Sequence, residues 1–230
     1  MRVIAGSAGG VRLAVPKRGV RPTMDRVKAA IFSSLGDAIV GARVLDLFAG
    51  TGALGIEALS RGAASAVFVE ADGQTKALIE KNLAKTKLTG GIRNQDVFDF
   101  LRQASDAGRF QFIFADPPYE KTIHGEHYTE KLLTNEVLPL LLEAGGTLVL
   151  EKQPGKTLPE IQRWHIIRRK TYGATEVLFL VQSAIYNRGE GSPRQKAKPR
   201  PAAAGDGGKR ASFNRQLVRR SLGESGSAIK

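Results

Sequence analysis

From Arg43 onward, short apolar runs alternate with stretches of helical period. The runs ARVLDL, SAVFVE, FQFIFA and GGTLVLE, with the weaker GIRNQD, have the length and continuity of buried strands. Between them, ALGIEALSRG, GQTKALIEKNLAKTKL, VFDFLRQAS and the stretch from His127 to Glu143 carry apolar residues at helical spacing. Strands separated by such helices predict βαβ units and a parallel sheet. The last pair, WHIIRRKTY and TEVLFLVQ, is joined by Gly173-Ala174 and predicts an antiparallel hairpin at the sheet edge. Five parallel strands and this hairpin make an α/β chain with a Rossmann-like, seven-stranded sheet.

The first 42 residues read as an N-terminal β-hairpin/helix extension. RVIA and VRLAV, around Gly6, Gly9 and Gly10, suit two short strands. A helix follows: Thr23 is placed as N-cap, Asp25 stands in the first turn, and Val27, Ile31 and Leu35 share one face up to the stop at Gly36. Residues 43–185 form the α/β domain. Residues 186–230 are rich in Gly, Pro, Ala, Lys and Arg and poor in large apolar groups, which predicts a disordered basic tail. Within it SFNRQLVRRSLG, with Phe213 and Leu217 four apart, has the spacing of a short helix formed on binding.

A chain of 230 residues that is 42% apolar can bury one α/β core. The absence of cysteine excludes disulfides, thiolate metal sites and a cysteine nucleophile. No signal peptide and no run of roughly 18 uncharged apolar residues is present, so a soluble, cytoplasmic chain is expected. The net charge of +13 is unevenly spread: about +6 over residues 1–28, about −1 over 29–185 and about +8 over the tail. A neutral body with basic ends suits a polyanion partner.

Asp46-Leu47-Phe48-Ala49-Gly50-Thr51-Gly52 follows the first apolar strand and opens a helix. Its glycines permit a tight turn and close backbone approach to a ligand. The spacing departs from the dinucleotide fingerprint, which is aimed at a pyrophosphate. A carboxylate at the turn suits instead a cation, such as the ammonium or sulfonium of S-adenosylmethionine. Glu70 ends the next strand, where an acid can accept from ribose hydroxyls, and Asp96 follows the third, where a side chain can meet an adenine amino group.

Asp116-Pro117-Pro118-Tyr119 follows the strand FQFIFA. An exocyclic amine of a base is a poor nucleophile because its lone pair is delocalised into the ring. Asp116 and the Pro117 carbonyl can each accept one of its hydrogens and steer the lone pair out of the ring plane. Both prolines keep this wall rigid, and Tyr119 offers a stacking face to an unstacked base. No metal cluster is apparent; His124, His127 and His165 read as surface residues.

DLFAGTGALGIEALSRGA (46–63), DPPY (116–119), RPTMDRVKAAIF (21–32) and the opening MRVIAGSAGG together resemble the RsmD family over residues 1 to about 183. The resemblance implies a class I methyltransferase that forms N2-methylguanine in small-subunit (16S) ribosomal RNA from S-adenosylmethionine. Oligomeric state is not readable from the residues, and a monomer is the default expectation. It implies that Asp46, Phe48, Gly50 and Gly52 meet the methionine part of the cofactor, Glu70 the ribose and Asp96 the adenine. Asp116 to Tyr119 would hold the target base. Arg12, Lys17, Arg18, Arg21, Thr23 and Arg26 would face the RNA. Met24 stands where the family often has Thr, and the tail is not part of the family core.

DLFAGTG and DPPY alone also occur in DNA adenine-N6 methyltransferases, but the segment from Tyr119 to Glu151 is too short for a target-recognition domain. Methylation of a protein glutamine more typically shows Asn in place of Asp116. The rival from another class is a non-catalytic RNA-binding or ribosome-assembly factor. S-adenosylmethionine binding discriminates it.

Overall fold

Strands that lie between two helical layers have no polar face to keep, which is why their sequences read as unbroken apolar runs. In the computed structural model, β1 (Arg43–Leu47), β2 (Ser65–Glu70), β3 (Gly91–Asn94), β4 (Phe110–Ala115), β5 (Leu142–Lys152), β6 (Trp164–Tyr172) and β7 (Thr175–Gln182) form one sheet in the order β3-β2-β1-β4-β5-β7-β6. All pairings among β1 to β5 are parallel; β7 runs antiparallel to β5 and β6. This is the class I methyltransferase sheet. The structure describes residues 1–16, 23–104, 108–118, 127–155, 157–159 and 161–183, all within the first of two compact units, Met1–Gly191. Lys17, Arg18, Arg21, Tyr119, His124 and the whole basic tail, including SFNRQLVRRSLG, lie outside the described residues.

Each face of the sheet carries its own core. Helices α1 (Thr23–Leu35), α2 (Ala53–Ser60) and α3 (Gly73–Thr86) cover one, where Val27, Ile31, Phe32, Ile56 and Ile79 meet Val44, Phe68, Phe114, Val177 and Phe179. Helices α4 (Val97–Gln103) and α5 (Tyr128–Thr134) cover the other, with Phe100, Leu101, Leu132 and Leu133 against Leu45, Leu47, Ile113, Leu148 and Leu180.

Three expectations change in detail. The N-terminal hairpin is present as an antiparallel pairing with a single bridge, Arg2 to Arg12, rather than two full strands. Val3, Gly10 and Leu13 donate across the hairpin, but N–H groups between them are taken by α2. Ile4 and Ala5 donate to Glu57 Oε2 and Oε1 at 2.7 and 3.1 Å, Ser7 donates to the Ser60 carbonyl at 2.7 Å, and Ala8 donates to Ser60 Oγ at 2.9 Å. Gly6 fits the close approach: its φ is +85°, and a Cβ there would come within 1.8 Å of the Ser60 carbonyl oxygen.

Thr23 begins α1 as its first residue rather than capping it from outside. The helix expected from His127 to Glu143 ends at Thr134. Asn135 turns the backbone to an extended conformation, and its Oδ1 accepts from the N–H groups of Val137 and Leu138. Pro139, which has no N–H to continue a helix, sits in a short 3-10 turn, and β5 starts at Leu142.

Glu57 is fully buried and serves four donors: the two backbone N–H groups above, Arg61 Nε at 2.7 Å and Lys28 Nζ at 3.2 Å. Removing one partner of such a cluster strands the others without water. Glu57→Ala is expected to lower unfolding stability by about 3–5 kcal/mol, measured by denaturant unfolding. A loss under about 1 kcal/mol would mean that the cluster is not what fastens the N-terminal segment.

Candidate functional site

The carboxyl ends of the parallel strands open onto a cavity of about 210 Å3. Phe48, Ala49, Gly50 and Thr51 line it from the turn between β1 and α2, Ala53 and Leu54 from the start of α2, Asp46 from the end of β1, Asp116 from beyond β4 and Glu151 from β5. Met1, Val15 and Pro16 of the N-terminal segment and Lys28 of α1 complete the wall.

The turn owes its shape to left-handed backbone at Phe48 (φ 55°), Gly50 (φ 56°) and Gly52 (φ 76°). For Phe48 that conformation is costly, and the surroundings hold it. Its ring stands edge-on to Phe98 at 6.3 Å and to Tyr128 at 5.5 Å. Gly55, one turn into α2, donates its N–H to Asp46 Oδ2 at 2.8 Å. A Cβ at Gly55 would fall 2.3 Å from the Phe68 ring and 3.1 Å from that same oxygen. Asn82 of α3, fully buried, accepts from the Ala14 N–H at 2.6 Å and donates to the carbonyls of Ala14 and Thr51. One side chain therefore ties the N-terminal segment to the glycine turn.

Three carboxylates share the cavity. Burial pushes the Asp46 carboxyl up to about 8; the Gly55 N–H opposes this, while the charges of Asp116 and Glu70 add to it. Burial likewise raises Glu151 well above the ordinary glutamate value, reinforced by Asp116 and Asp46. Lys28 is held below its usual value by burial, against the pull of Glu57. Such a site gains most from a cationic ligand, which relieves the repulsion among the acids. Among the described residues no group of three or more His, Asp or Glu side chains is arranged to hold a metal ion, and no helix is long and apolar enough to cross a membrane.

The other expected site residues are placed as follows. Glu70 accepts from the Gly50 N–H at 2.8 Å and from the Asp72 N–H at 2.9 Å, so it braces the turn directly. Asp96 is exposed and caps α4, accepting from the N–H groups of Phe98 and Asp99. Pro117 is buried and Pro118 exposed. Arg12 and Arg26 are exposed on the N-terminal segment and α1. Glu70, Gly52 and Asp96 do not line the cavity itself.

Sequence reasoning missed Lys28, Glu57 and Glu151. Glu151 carried a usable signal, since it ends an apolar strand as Asp46 and Glu70 do. Glu57 was the one acid in an otherwise apolar helix turn. Lys28 gave none, because burial of a lysine depends on which partner the fold brings to it.

A family profile described as Conserved hypothetical protein 95 matches residues 1–181. The chain belongs to this family, that of RsmD. The Bacillus subtilis protein YlbH is 40% identical over 183 residues, 77% of this chain and 96% of that one. The Escherichia coli K12 protein named Ribosomal RNA small subunit methyltransferase D is 36% identical over 182 residues, 75% of this chain and 85% of that one. The solved structure of Escherichia coli yhhF has a TM-score of 0.67 at 34% identity, covering 80% of this chain and 98% of that one.

The raised Asp46 value gives a pH dependence with a fixed sign. Below about pH 8 the carboxyl of the free protein is largely neutral, and a bound cation requires it ionised. S-adenosylmethionine affinity is therefore expected to rise with pH up to about 8, and binding at pH 7 to release protons. Calorimetry in buffers of different ionisation enthalpy reads this, and proton uptake would contradict it. Asp46→Asn keeps an acceptor for Gly55 and removes the charge. It is expected to weaken cofactor binding roughly 100-fold. The free variant should unfold no more easily than wild type, with its advantage growing as pH rises from about 4 to about 8 and level above, because over that range folded wild type keeps a proton that the unfolded chain has lost.

Proposed function

We propose that the chain methylates the exocyclic N2 amino group of a guanine in small-subunit ribosomal RNA, using S-adenosylmethionine. The observation that carries this reading is the convergence of Asp46, Asp116 and Glu151 on one cavity beside the Gly50–Gly52 turn. A sulfonium and an ammonium match those three acids in charge, and the residue set beyond β4 matches an amine in chemistry. When bound, the cofactor supplies an electrophilic methyl group.

Asp46, Phe48, Gly50 and Gly52 hold its methionine end. Glu70 takes the ribose: each of its oxygens already accepts one N–H and keeps a lone pair for a hydroxyl. Asp96, fixed as a helix cap, takes the adenine amino group. Asp116 and the Pro117 carbonyl accept the two hydrogens of the target amine and turn its lone pair toward the methyl group. Tyr119 stacks on the base. Asp116 need only accept a hydrogen bond, because the amine becomes acidic once methylated and loses its proton afterward.

The N-terminal piece, residues 1–42, presents Arg12, Lys17, Arg18, Arg21, Thr23 and Arg26 to the RNA, and residues 43–185 carry the chemistry. The tail, 186–230, adds non-specific affinity through counterion release. The protein acts as a monomer in the cytoplasm, on RNA within the small subunit.

Incubation with labelled S-adenosylmethionine and unmethylated small-subunit RNA, naked and in 30S particles, tests the substrate. N2-methylguanosine at a single site is expected. N6-methyladenine, or cofactor binding with no transfer to RNA, overturns it. Asp116→Ala should slow transfer roughly 100- to 1,000-fold while cofactor affinity stays within about threefold. Normal transfer by this variant would remove the amine-steering mechanism.

A further inference from the structure

Resting on the RNA reading above, we propose that Arg168 and Lys170 of the edge strand β6 bind backbone phosphates of the RNA next to the target nucleotide. The argument starts from a bulge. Ile166 pairs with Leu180 and Arg168 with Phe179, which leaves Ile167 as an extra, exposed residue. In an unbroken ladder Arg168 would oppose Leu178 and face the α4–α5 side of the sheet. The bulge shifts it by one, and cross-strand partners share a face. Arg168 therefore stands with Phe179 and Lys170 with Val177, both on the side that α1 covers.

The two sides of β6 then differ in charge balance. On the α4–α5 side Arg169 pairs with Glu176 at 3.4 Å, and Glu176 also holds the buried Lys152 at 2.6 Å. On the α1 side, Arg168 lies over the Phe179 ring at 5.8 Å and Lys170 Nζ reaches Ser34 Oγ of α1 at 3.4 Å. No ion pair among the described residues includes either of these two. A guanidinium laid on an aromatic face is preorganised, with its N–H fork left for an anion.

Register also places them. Lys170 pairs with Val177, and Val177 with Glu151, which lines the cavity. Two strand spacings put the Lys170 backbone about 10 Å from that of Glu151, in the same row and on the same face. A base held in the cavity would thus leave its flanking backbone within reach of these side chains. Charges on an exposed edge also keep it from pairing with another sheet. That role is indifferent to which face they occupy, and so gives no reason for the bulge.

The test compares Arg168→Gln/Lys170→Gln with Arg169→Gln, in the full chain, on a small-subunit RNA that the wild type binds. The double variant should lose about tenfold affinity near 100 mM salt, and its slope of log affinity against log salt should be shallower by about 1.4–1.8. Arg169→Gln should stay within about twofold. S-adenosylmethionine affinity and melting temperature of the double variant should match wild type, which excludes misfolding. Wild-type affinity and slope in the double variant overturn the proposal. So does an equal loss per charge in Arg169→Gln, which would reduce the effect to net charge. Failure of the wild type itself to bind or methylate RNA would strike the proposed function instead, and is seen before either variant is made.

Discussion

One buried carboxylate determines how the first sixteen residues relate to the rest of the chain. Glu57 has no water to solvate it, so it must be satisfied by donors from protein, and the donors it finds lie on three separate segments. Two backbone N–H groups from the N-terminal turn, a lysine from α1 and an arginine from its own helix converge on two oxygens. That convergence brings Met1 and Lys28 to the rim of the cavity, and Asn82, bonded to Ala14, brings Val15 and Pro16. Part of the pocket wall is thus a consequence of where a charge is buried, three residues beyond Leu54, the last residue of α2 to line the cavity.

Much of the sheet was legible because its cause is local. Parallel strands packed on both faces must be apolar throughout, and FQFIFA or SAVFVE can hardly be anything else. Asp46, Gly50 and Asp116 were legible for a related reason: they sit where strands end, and the fold delivers all strand ends to one side. What failed was set by partners far along the chain. The N-terminal segment does pair as a hairpin, but its strands stay short because the N–H groups of Ile4, Ala5 and Ala8 go to Glu57 and Ser60, more than fifty residues on. The fifth helix looked long because Leu132, Leu133, Leu138 and Leu141 keep helical spacing. Asn135 ends it, and all four residues remain buried after the backbone has left the helix.

The electrostatic layout inverts the composition. A chain with an excess of thirteen positive charges lines its central cavity with three acids and one buried lysine, Lys28. Burial raises the carboxyls of Asp46 and Glu151, and the charge of Asp116 adds to both. Exposed cations stand outside, with Arg12 on the N-terminal segment, Arg26 on α1 and Arg168 and Lys170 on the sheet edge. A ligand of one sign is favoured within and a polymer of the opposite sign along the surface, and neither competes for the other's groups.

Sequence separation in these contacts also bears on how the chain is made. Ala14 is tied to Asn82, sixty-eight residues later, and Ala8 to Ser60, fifty-two later. At about 5–20 residues per second, synthesis leaves the N-terminal segment without its partners for several seconds after it is made. It emerges early and docks late, only when α2 and α3 exist to receive it. Throughout that interval its arginines, Arg2 and Arg12, are exposed beside the polyanion that is synthesising them.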